Sequence, residues 1–486
     1  MACSCSSASF SPLRLLRSRP LLKRRLRFHQ KTIATATNFT SASLSDPFVL
    51  DIADKLEDSL SLCSTSCPSV LLKLRDSSSQ SLLTQRWPSA KEEPFRFTDL
   101  SFLKSSEILP AASTSAIHPA PSFSFPASNF LTIVDGCVVP SLSRLTSLPA
   151  GAFAGSAVDV PSGHLYETVF AAAGEGFSDG DLFWNVNGFG APDLAVVYIP
   201  EGERLVDDPL HLRFCAAEAT EAGSGRLLLS NPRVLVVVGK GSELSIVEEH
   251  LGVEGSGGAC YWSNSVVEIV VEEGAKVSHT YIQKQSMSAA HTKWTFVRQG
   301  KCSSYELIEL STGAKLSRHS LHVQQLGPDT TTELSAFHVS RNDQIQDLHS
   351  RLILDHPRGY SRQLHKCIVS HSSGHAIFDG NIKVNRFAQQ TDAGQLTRTL
   401  LLAPRATANV KPNLQIIADD VKCSHGAAIS DLEEDQLFYF QARGVDQQTA
   451  RDALTFSFGA EVLARIPFEP YRKSVSNQVK QLLTAG

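Results

Sequence analysis

The phrase Gly241-Ser-Glu-Leu-Ser245 recurs along the chain as Gly274-Ala-Lys-Val-Ser278 and again as Gly313-Ala-Lys-Leu-Ser317. The first two copies begin 33 residues apart and the last two begin 39 residues apart. Recurrence at this spacing is typical of a solenoid, in which each coil covers the apolar face of its neighbour. Glycine or Gly-Ala suits the tight corners of such coils, because glycine adopts positive φ at little cost. The phrase therefore predicts a stack of coils with glycine-containing corners.

Short β-branched runs, separated by glycines, prolines or acids, extend on both sides of the phrase from about Leu131 to Ile429. Eight of them predict strands: Leu194–Ile199, Arg226–Leu229, Val234–Val238, Val266–Val271, Lys293–Val297, Leu352–Leu354, Ile382–Val384 and Leu414–Ile417. No intervening pattern predicts a helix of the length that a βαβ crossover needs. A mainly β fold follows, and a parallel β-helix fits best because its inner strands pair on both sides. A β-sandwich also has many short strands and remains the alternative.

Helical patterns flank this β region. Asp51–Leu60 has apolar residues at helical spacing, whereas Ser105–Asn129 is rich in Pro, Ser and Ala and predicts a loop. Further helices are predicted at Asp435–Arg443, after an N-cap at Asp446, and at Ser474–Leu483. We predict four segments: a leader at 1–45, an N-terminal helical region and linker at 46–130, a β core at 131–430, and C-terminal helices at 431–486.

The leader differs in charge from the remainder. The whole chain of 486 residues has a formal net charge of −4, but residues 1–45 contain six arginines, two lysines and no acid. A Ser-rich, Arg-rich and acid-free start is the pattern of an organelle transit peptide, and its Met-Ala start and serine content favour a chloroplast over a mitochondrion. A disordered basic arm on a cytosolic protein is the alternative. The remaining chain is acidic, which argues against non-specific nucleic-acid binding.

Several classes of chemistry lack their motifs. The sequence contains no GxxxxGK[ST], GxSxG or HExxH, so we predict that this chain alone hydrolyses no nucleotide and is not an enzyme. Its ten cysteines include no CxxC pair, which argues against a disulfide framework or a structural zinc site. No stretch has the eighteen or so apolar residues that a transmembrane helix needs.

Histidines are concentrated late in the chain. A cluster at 349, 356, 365, 371 and 375 has spacings that match no compact ligand pattern, so surface or coil-lining positions are expected for it.

Cys423-Ser424-His425 is the more specific candidate for a metal site. If the segment is a strand, residues two apart point to one face, so the thiol and imidazole project together. The adjacent Lys422 would favour the thiolate, and both groups suit iron or iron–sulfur ligation. Two ligands do not complete a site, so the others would come from another chain. A small buried cysteine beside a hydrogen-bonded histidine is the simpler interpretation.

An ordered series of phrases carries a resemblance to a known family. The phrases are Phe378-Asp-Gly-Asn-Ile-Lys-Val384, Ala388-Gln-Gln-Thr-Asp-Ala393, Leu400-Leu-Leu402, Lys411-Pro-Asn-Leu-Gln-Ile416, Ala418-Asp-Asp-Val-Lys-Cys-Ser-His-Gly-Ala427, Gln436-Leu-Phe-Tyr439 and Ala442-Arg-Gly444, with Trp87-Pro-Ser-Ala-Lys-Glu-Glu93 and Phe95-Arg-Phe-Thr-Asp-Leu100 upstream. The series closely resembles the SufB/SufD family of iron–sulfur cluster assembly scaffolds from about residue 80 to 470. Gly426 resembles SufD, because SufB carries a glutamate after the matching histidine.

The resemblance implies a right-handed parallel β-helix between helical regions, in a complex of one SufB, one SufD and two SufC ATPases. It implies that the C-terminal helices dock SufC, that the last coils contact SufB, and that a transient iron–sulfur cluster forms between SufB and SufD. His425 would be the SufD-side ligand and Cys423 a weaker candidate, in a non-catalytic scaffold of the chloroplast stroma. It also allows for a flavin in the assembled complex.

Two other functions remain open on the sequence. One is a purely structural β-helix that stabilises SufC and SufB without binding metal. The other is a polysaccharide-active β-helix enzyme, which needs acids clustered along one groove. The candidate acids for such an enzyme are Asp419-Asp420 and the pair Asp343 and Asp347.

Overall fold

The computed structural model describes residues 46–62, 68–111, 127–173, 180–216, 219–221, 223–252 and 259–484. The predicted leader at 1–45 lies outside the described residues. Within those residues, no helix combines the length and apolar character that a membrane span requires.

Eight helices and twenty-two strands are numbered in chain order. The helices are α1 (Pro47–Leu62), α2 (Ser69–Leu82), α3 (Ser101–Lys104), α4 (His164–Ala173), α5 (Leu182–Gly190), α6 (Glu434–Gln441), α7 (Gln447–Leu463) and α8 (Glu469–Thr484). The strands are β1 (Glu107–Pro110), β2 (Asn129–Val134), β3 (Cys137–Val138), β4 (Arg144–Leu145), β5 (Phe153–Ser156), β6 (Ala195–Ile199), β7 (Arg204–Cys215), β8 (Arg226–Ser230), β9 (Arg233–Val238), β10 (Glu243–Leu251), β11 (Tyr261–Val271), β12 (Lys276–Lys284), β13 (Ala290–Gln299), β14 (Ser304–Ser311), β15 (Leu316–Gln325), β16 (Thr331–Ser340), β17 (Ile345–Leu354), β18 (Tyr360–Val369), β19 (His375–Val384), β20 (Thr391–Leu401), β21 (Thr407–Ile416) and β22 (Val421–Ser430).

The strands form two facing sheets, A and B, which together make up the wall of a solenoid. Sheet A runs in the order β5-β6-β9-β11-β13-β15-β17-β19-β21, with β8 beside β11 and β1 beside β8. Sheet B runs in the order β3-β2-β7-β10-β12-β14-β16-β18-β20-β22, with β4 beside β2. From β9 and β10 onward the chain alternates between the sheets, and all pairing is parallel. The predicted mainly β parallel solenoid, with helices at both ends, is confirmed, with about seven turns.

The corner that leads into each sheet B strand is stacked on the same corner of the next coil. Gly241 and Gly274 have φ of 65° and 69°, and the N–H of Gly274 donates to the carbonyl of Lys301 at 2.8 Å. On the next coil the equivalent residue is Cys302, with φ of 55°, whose N–H donates to Pro328 at 2.9 Å. The first two copies of the repeated phrase therefore mark equivalent corners, as predicted.

The third copy of the phrase does not mark an equivalent corner. Gly313 precedes β15, which belongs to sheet A, and the residue with positive φ there is Ala314, at 62°. The 39-residue interval thus joins a sheet B corner to a sheet A corner, and reading it as one coil is wrong.

The N-terminal segment lies on the outer face of sheet A. The Thr98 hydroxyl donates to Asp347 at 2.6 Å, and Arg318 donates to the carbonyl of Pro94 at 3.0 Å. Glu93 forms an ion pair with Lys411 on β21. Residues 93–98 therefore bind strands from β15 to the last strand of sheet A.

The C-terminal helices cover the outer face of sheet B. Apolar residues of α7 and α8 pack on outward-facing residues of the strands: Val462, Leu463, Tyr471, Val475 and Val479 against Val247, Ile282, Ile308, Phe337 and Ile368. The predicted N-cap is confirmed, since Asp446 accepts a hydrogen bond from the N–H of Thr449 at 3.0 Å.

Candidate functional site

The candidate site lies on the last coil of the solenoid. Within the described residues, β22 is hydrogen-bonded to β20 on one side and to no strand on the other, and β21 likewise pairs with β19 alone. No residue of β21 or β22 is buried, whereas six of the eleven residues of β20, the neighbour of β22, are buried. The open side of β22 therefore presents unpaired backbone groups, which favour pairing with another strand.

Cys423 and His425 project from the same face of β22. Their register partners on β20 are Ala393 and Gln395, both of which point into the solenoid and are buried. Cys423 is half-buried and packs on the main apolar core, whereas His425 is exposed. The segment is a strand, which is the condition on which the shared face depended, and alternation places both side chains at the mouth of the solenoid interior.

The expected effect of Lys422 on the thiol is wrong. Lys422 lies on the opposite face of β22 from Cys423, since consecutive strand residues alternate. Burial raises the pKa of the Cys423 thiol, a hydrogen bond from the Ala393 backbone opposes this, and Asp392 raises it further. Cys423 is therefore held as a thiol in the free chain, which makes the exposed His425 the stronger ligand candidate.

The described residues of this chain do not form a complete metal site. Among the described residues, no three His, Cys, Asp or Glu side chains are grouped to hold a metal ion. Cys423 and His425 therefore supply at most part of a coordination set, and the remaining ligands would have to come from elsewhere.

The five late histidines are separated by the fold. The His349 Nε2 lies 2.8 Å from an Asp347 oxygen on the outer face of sheet A, and His375 contacts the amide of Asn409 at 2.6 Å. His371 lies in an exposed turn beside Ser373. His365 is buried inside the solenoid, where its Nδ1 lies 2.9 Å from the Thr397 hydroxyl. His356 is half-buried in the bend after β17, so surface and coil-lining positions, as expected, describe all five.

A buried ionic cluster inside the solenoid was not predicted. Glu248 is its centre and contacts Lys293 at 2.5 Å, His250 at 2.6 Å and His279 at 2.9 Å. Burial alone would raise the pKa of Glu248, but Lys293 and the histidines hold it well below its usual value. Alternation on β10, β12 and β13 was the signal that could have placed these residues on inner faces.

A second carboxylate continues this interior line towards the open end. Glu309 contacts His319 at 2.8 Å and His338 at 2.9 Å, and the His338 ring lies 5.2 Å from the His365 ring. Thr397, which contacts His365, pairs in register with Ala427 on β22. Polar side chains therefore line the interior from Glu248 to the coil that carries His425.

Asp343 and Asp347, one of the acid pairs that a polysaccharide-active enzyme could use, lie in different environments. Asp347 is buried and bonded to Arg318, Thr98 and His349, whereas Asp343 lies in an exposed turn with φ of 52°. A pair of carboxylates on opposite sides of a substrate, the arrangement of glycosidases, is therefore not formed by Asp343 and Asp347.

Exposed apolar residues lie near the last coil and on the helix that follows it. Ile417 and Ile429 are 53% and 48% exposed, and Phe438 and Tyr439 of α6 are 70% and 55% exposed. Clustered apolar exposure of this kind marks interaction surfaces in soluble proteins.

Fold and site together define a class: a parallel β-solenoid whose last described coil is uncovered and carries Cys423 and His425, two residue types that can bind metal. Comparison with known proteins identifies the family within this class. Residues 219–458 match the family described as "SUF system FeS cluster assembly, SufBD core domain".

Individual relatives match across almost the whole chain. Protein ABCI7, chloroplastic, of Arabidopsis thaliana is 55% identical over 465 residues, covering 95% of this chain and 96% of that protein. An iron–sulfur cluster assembly SufBD family protein of Synechocystis is 36% identical over 410 residues, covering 82% and 88%. The iron–sulfur cluster assembly protein SufD of Escherichia coli is 26% identical over 416 residues, covering 84% and 92%. The chain belongs to the SufBD family of iron–sulfur cluster assembly proteins, and the predicted SufD type is confirmed.

Proposed function

We propose that this chain is the SufD-type, non-catalytic scaffold subunit of a plastid SUF complex. It pairs with a SufB-type chain through its last coil, binds a SufC-type ATPase through its C-terminal helices, and contributes His425 to a transient iron–sulfur cluster. Cys423 is the weaker ligand candidate. The cluster is cargo that the complex builds and passes on.

The uncovered last coil is the observation that carries this proposal. β22 offers a free strand edge beside the exposed His425 and the half-buried Cys423, so a strand from a SufB-type chain can extend sheet B and bring further ligands to them. The exposed Ile417 and Ile429 supply apolar area next to that edge. A cluster at this junction would be held by two chains and be open to release.

The C-terminal helices support the ATPase contact. α7 and the amphipathic α8 are anchored on sheet B, while α6 leaves Phe438 and Tyr439 exposed. Aromatic residues of this kind are enriched at the centres of protein interfaces. We propose that ATP-driven association of the SufC subunits strains the junction of the two scaffolds and opens the site where iron and sulfide combine.

The chloroplast stroma is the proposed location. The acid-free, Ser- and Arg-rich segment 1–45 supports import, and the relative ABCI7 is described as chloroplastic. The flavin that the resemblance allows for the complex is assigned to no residue of this chain.

Replacing His425 by alanine tests the ligand assignment. In a complex reconstituted with SufB- and SufC-type partners, we expect cluster formation, followed by visible absorbance, to slow on the order of tenfold or more, because a metal-binding side chain is lost. His371→Ala removes another exposed histidine from a turn distant in sequence from β22 and should leave the rate unchanged. A normal rate in His425→Ala would show that His425 has no such role.

The purely structural adaptor is separated from this proposal by spectroscopy. When the complex is loaded with iron and the SufD-type chain alone carries 15N-histidine, pulsed electron paramagnetic resonance should detect nitrogen coupled to the cluster. The coupling should disappear in His425→Ala and persist in His371→Ala. Cluster formation without any such coupling would favour the adaptor.

Co-purification tests the partners. The mature chain, expressed in plastids with an affinity tag, should retain a SufB-type chain and a SufC-type ATPase. Phe438→Ser with Tyr439→Ser should release the ATPase, since it removes exposed apolar area from α6, and should leave the SufB-type chain bound. Retention of the ATPase by this variant would contradict docking through α6.

A further inference from the structure

A cavity of about 300 Å³ lies between α8 and the C-terminal ends of β12, β14 and β16 in sheet B. One wall is formed by Gln478, Val479 and Leu482 of α8. The opposite wall includes Lys284 and Gln285 at the end of β12, and Arg341 after β16. Its size is at the lower end of the range for small-molecule sites.

The charge in this cavity is one-sided. The described residues that line it include the two cations Lys284 and Arg341 and no aspartate or glutamate. Lys284 is already compensated, because its Nζ lies 2.6 Å from Glu249 and it donates to the Gln478 amide oxygen at 3.3 Å. Arg341 is therefore the cation of this lining that forms no ion pair with a described acid.

Arg341 has weak partners within the described part of the chain. Its Nη2 contacts the Met287 sulfur at 3.0 Å, its Nε is buried without a hydrogen bond, and no carboxylate forms an ion pair with it. Partial burial lowers the pKa of Arg341. A half-buried guanidinium that has no counter-charge favours binding of an anion.

The cavity also has apolar surface. Leu310, Val479 and Leu482 line it together with Arg341. The lining thus combines guanidinium N–H donors for an oxyanion with apolar area.

We propose that this cavity binds a small organic oxyanion, a carboxylate or phosphate with a compact apolar body, through the guanidinium of Arg341. A planar guanidinium suits both oxyanions because its N–H groups match two oxygens. The ligand bridges α8 and the solenoid wall. The site is separate in sequence and position from the last coil, so it stands whether or not His425 binds a cluster.

Calorimetry on the full chain tests the site with four probes: phenyl phosphate, benzoate, inorganic phosphate and the uncharged benzyl alcohol. We expect phenyl phosphate or benzoate to bind, and which of them binds tighter identifies the oxyanion. Arg341→Gln should weaken that binding on the order of tenfold or more, because a charge-assisted hydrogen bond is lost. Arg386→Gln, which removes the same charge from an exposed turn, should bind like the wild type.

Arg341→Met separates a ligand-binding role from a structural one. It removes an uncompensated charge, so the free chain should keep or raise its melting temperature while losing the probe. Three results would overturn the proposal: no binding of either aromatic anion at about 10 mM, equal binding by Arg341→Gln, or equal binding of benzyl alcohol. A lowered melting temperature in Arg341→Met would assign the arginine to structure.

Discussion

Replacing Lys293 by methionine is expected to lower the free energy of unfolding by about 3–5 kcal/mol. Lys293 is fully buried and its ammonium lies 2.5 Å from the Glu248 carboxylate, which also contacts His250 and His279. Methionine would fill most of the space but leave the carboxylate without a cation inside the solenoid. An uncompensated buried charge is among the largest single effects that a substitution can have.

Urea unfolding of the mature chain measures this effect, and Lys276→Met is the matched control. Lys276 pairs with Glu243 at 3.1 Å, but its side chain is 65% exposed, so its loss should cost about 0.2–1 kcal/mol. Adding Glu248→Leu to Lys293→Met should recover part of the loss, since both charges are then gone. A cost in Lys293→Met no larger than in Lys276→Met would contradict the role of the pair.

Acidification is expected to destabilise the fold steeply below about pH 6.5. Burial lowers the pKa of seven histidines: His211, His250, His279, His291, His322, His365 and His375. The pKa of His322 falls to about 3. In the unfolded chain they take up protons near pH 6.5, while in the folded chain they stay neutral. The unfolded state then binds more protons, so stability falls as the pH falls, by up to about 1.4 kcal/mol per pH unit for each histidine.

Carboxylates add to this loss at lower pH. Burial would raise the pKa of Glu249, but His211 and Lys284 lower it to about 2. Its stabilising effect is present above the unfolded value near 4.3 and is lost as the pH falls towards 2. The buried histidines and the Glu249 carboxylate therefore both lower the stability of the fold as the pH falls, the histidines at higher pH and Glu249 at lower pH.

Unfolding by urea at pH 7.5, 6.5 and 5.5 checks this prediction. The slope of stability against pH should decrease in His291→Gln, because one buried neutral histidine is removed; the exposed His371→Gln is its control. Equal stability at the three pH values would contradict neutral burial of these histidines.

The sequence predicted one wall of the solenoid and missed the other. All eight predicted strands belong to sheet A, whose early strands have aliphatic inner positions, such as Val234, Val236 and Val238 of β9. Polar residues interrupt the inner faces of both sheets, with Glu248 and Glu309 on sheet B and Lys293 and His319 on sheet A. Apolar periodicity detects buried strands only where the interior is apolar; here ion pairs and hydrogen bonds replace it.

The candidate site was predictable in chemistry but not in exposure. The i, i+2 spacing of Cys423 and His425 placed them on one face before any fold was known. Their accessibility depends on β22 being the last strand of sheet B, and this follows from the chain leaving the solenoid at α6. The effect assigned to Lys422 failed because adjacency in sequence is not adjacency on a strand.

The contact between Glu93 and Lys411 has a consequence for the order of folding. Successive coils join residues about thirty positions apart, so the solenoid can be wound progressively from its first coils during synthesis or import. Glu93 and its partner are separated by 318 residues. The segment around Glu93 is synthesised early, but it can contact Lys411 only after β21 has formed. Its docking is therefore a late folding step that requires the solenoid to have formed as far as β21.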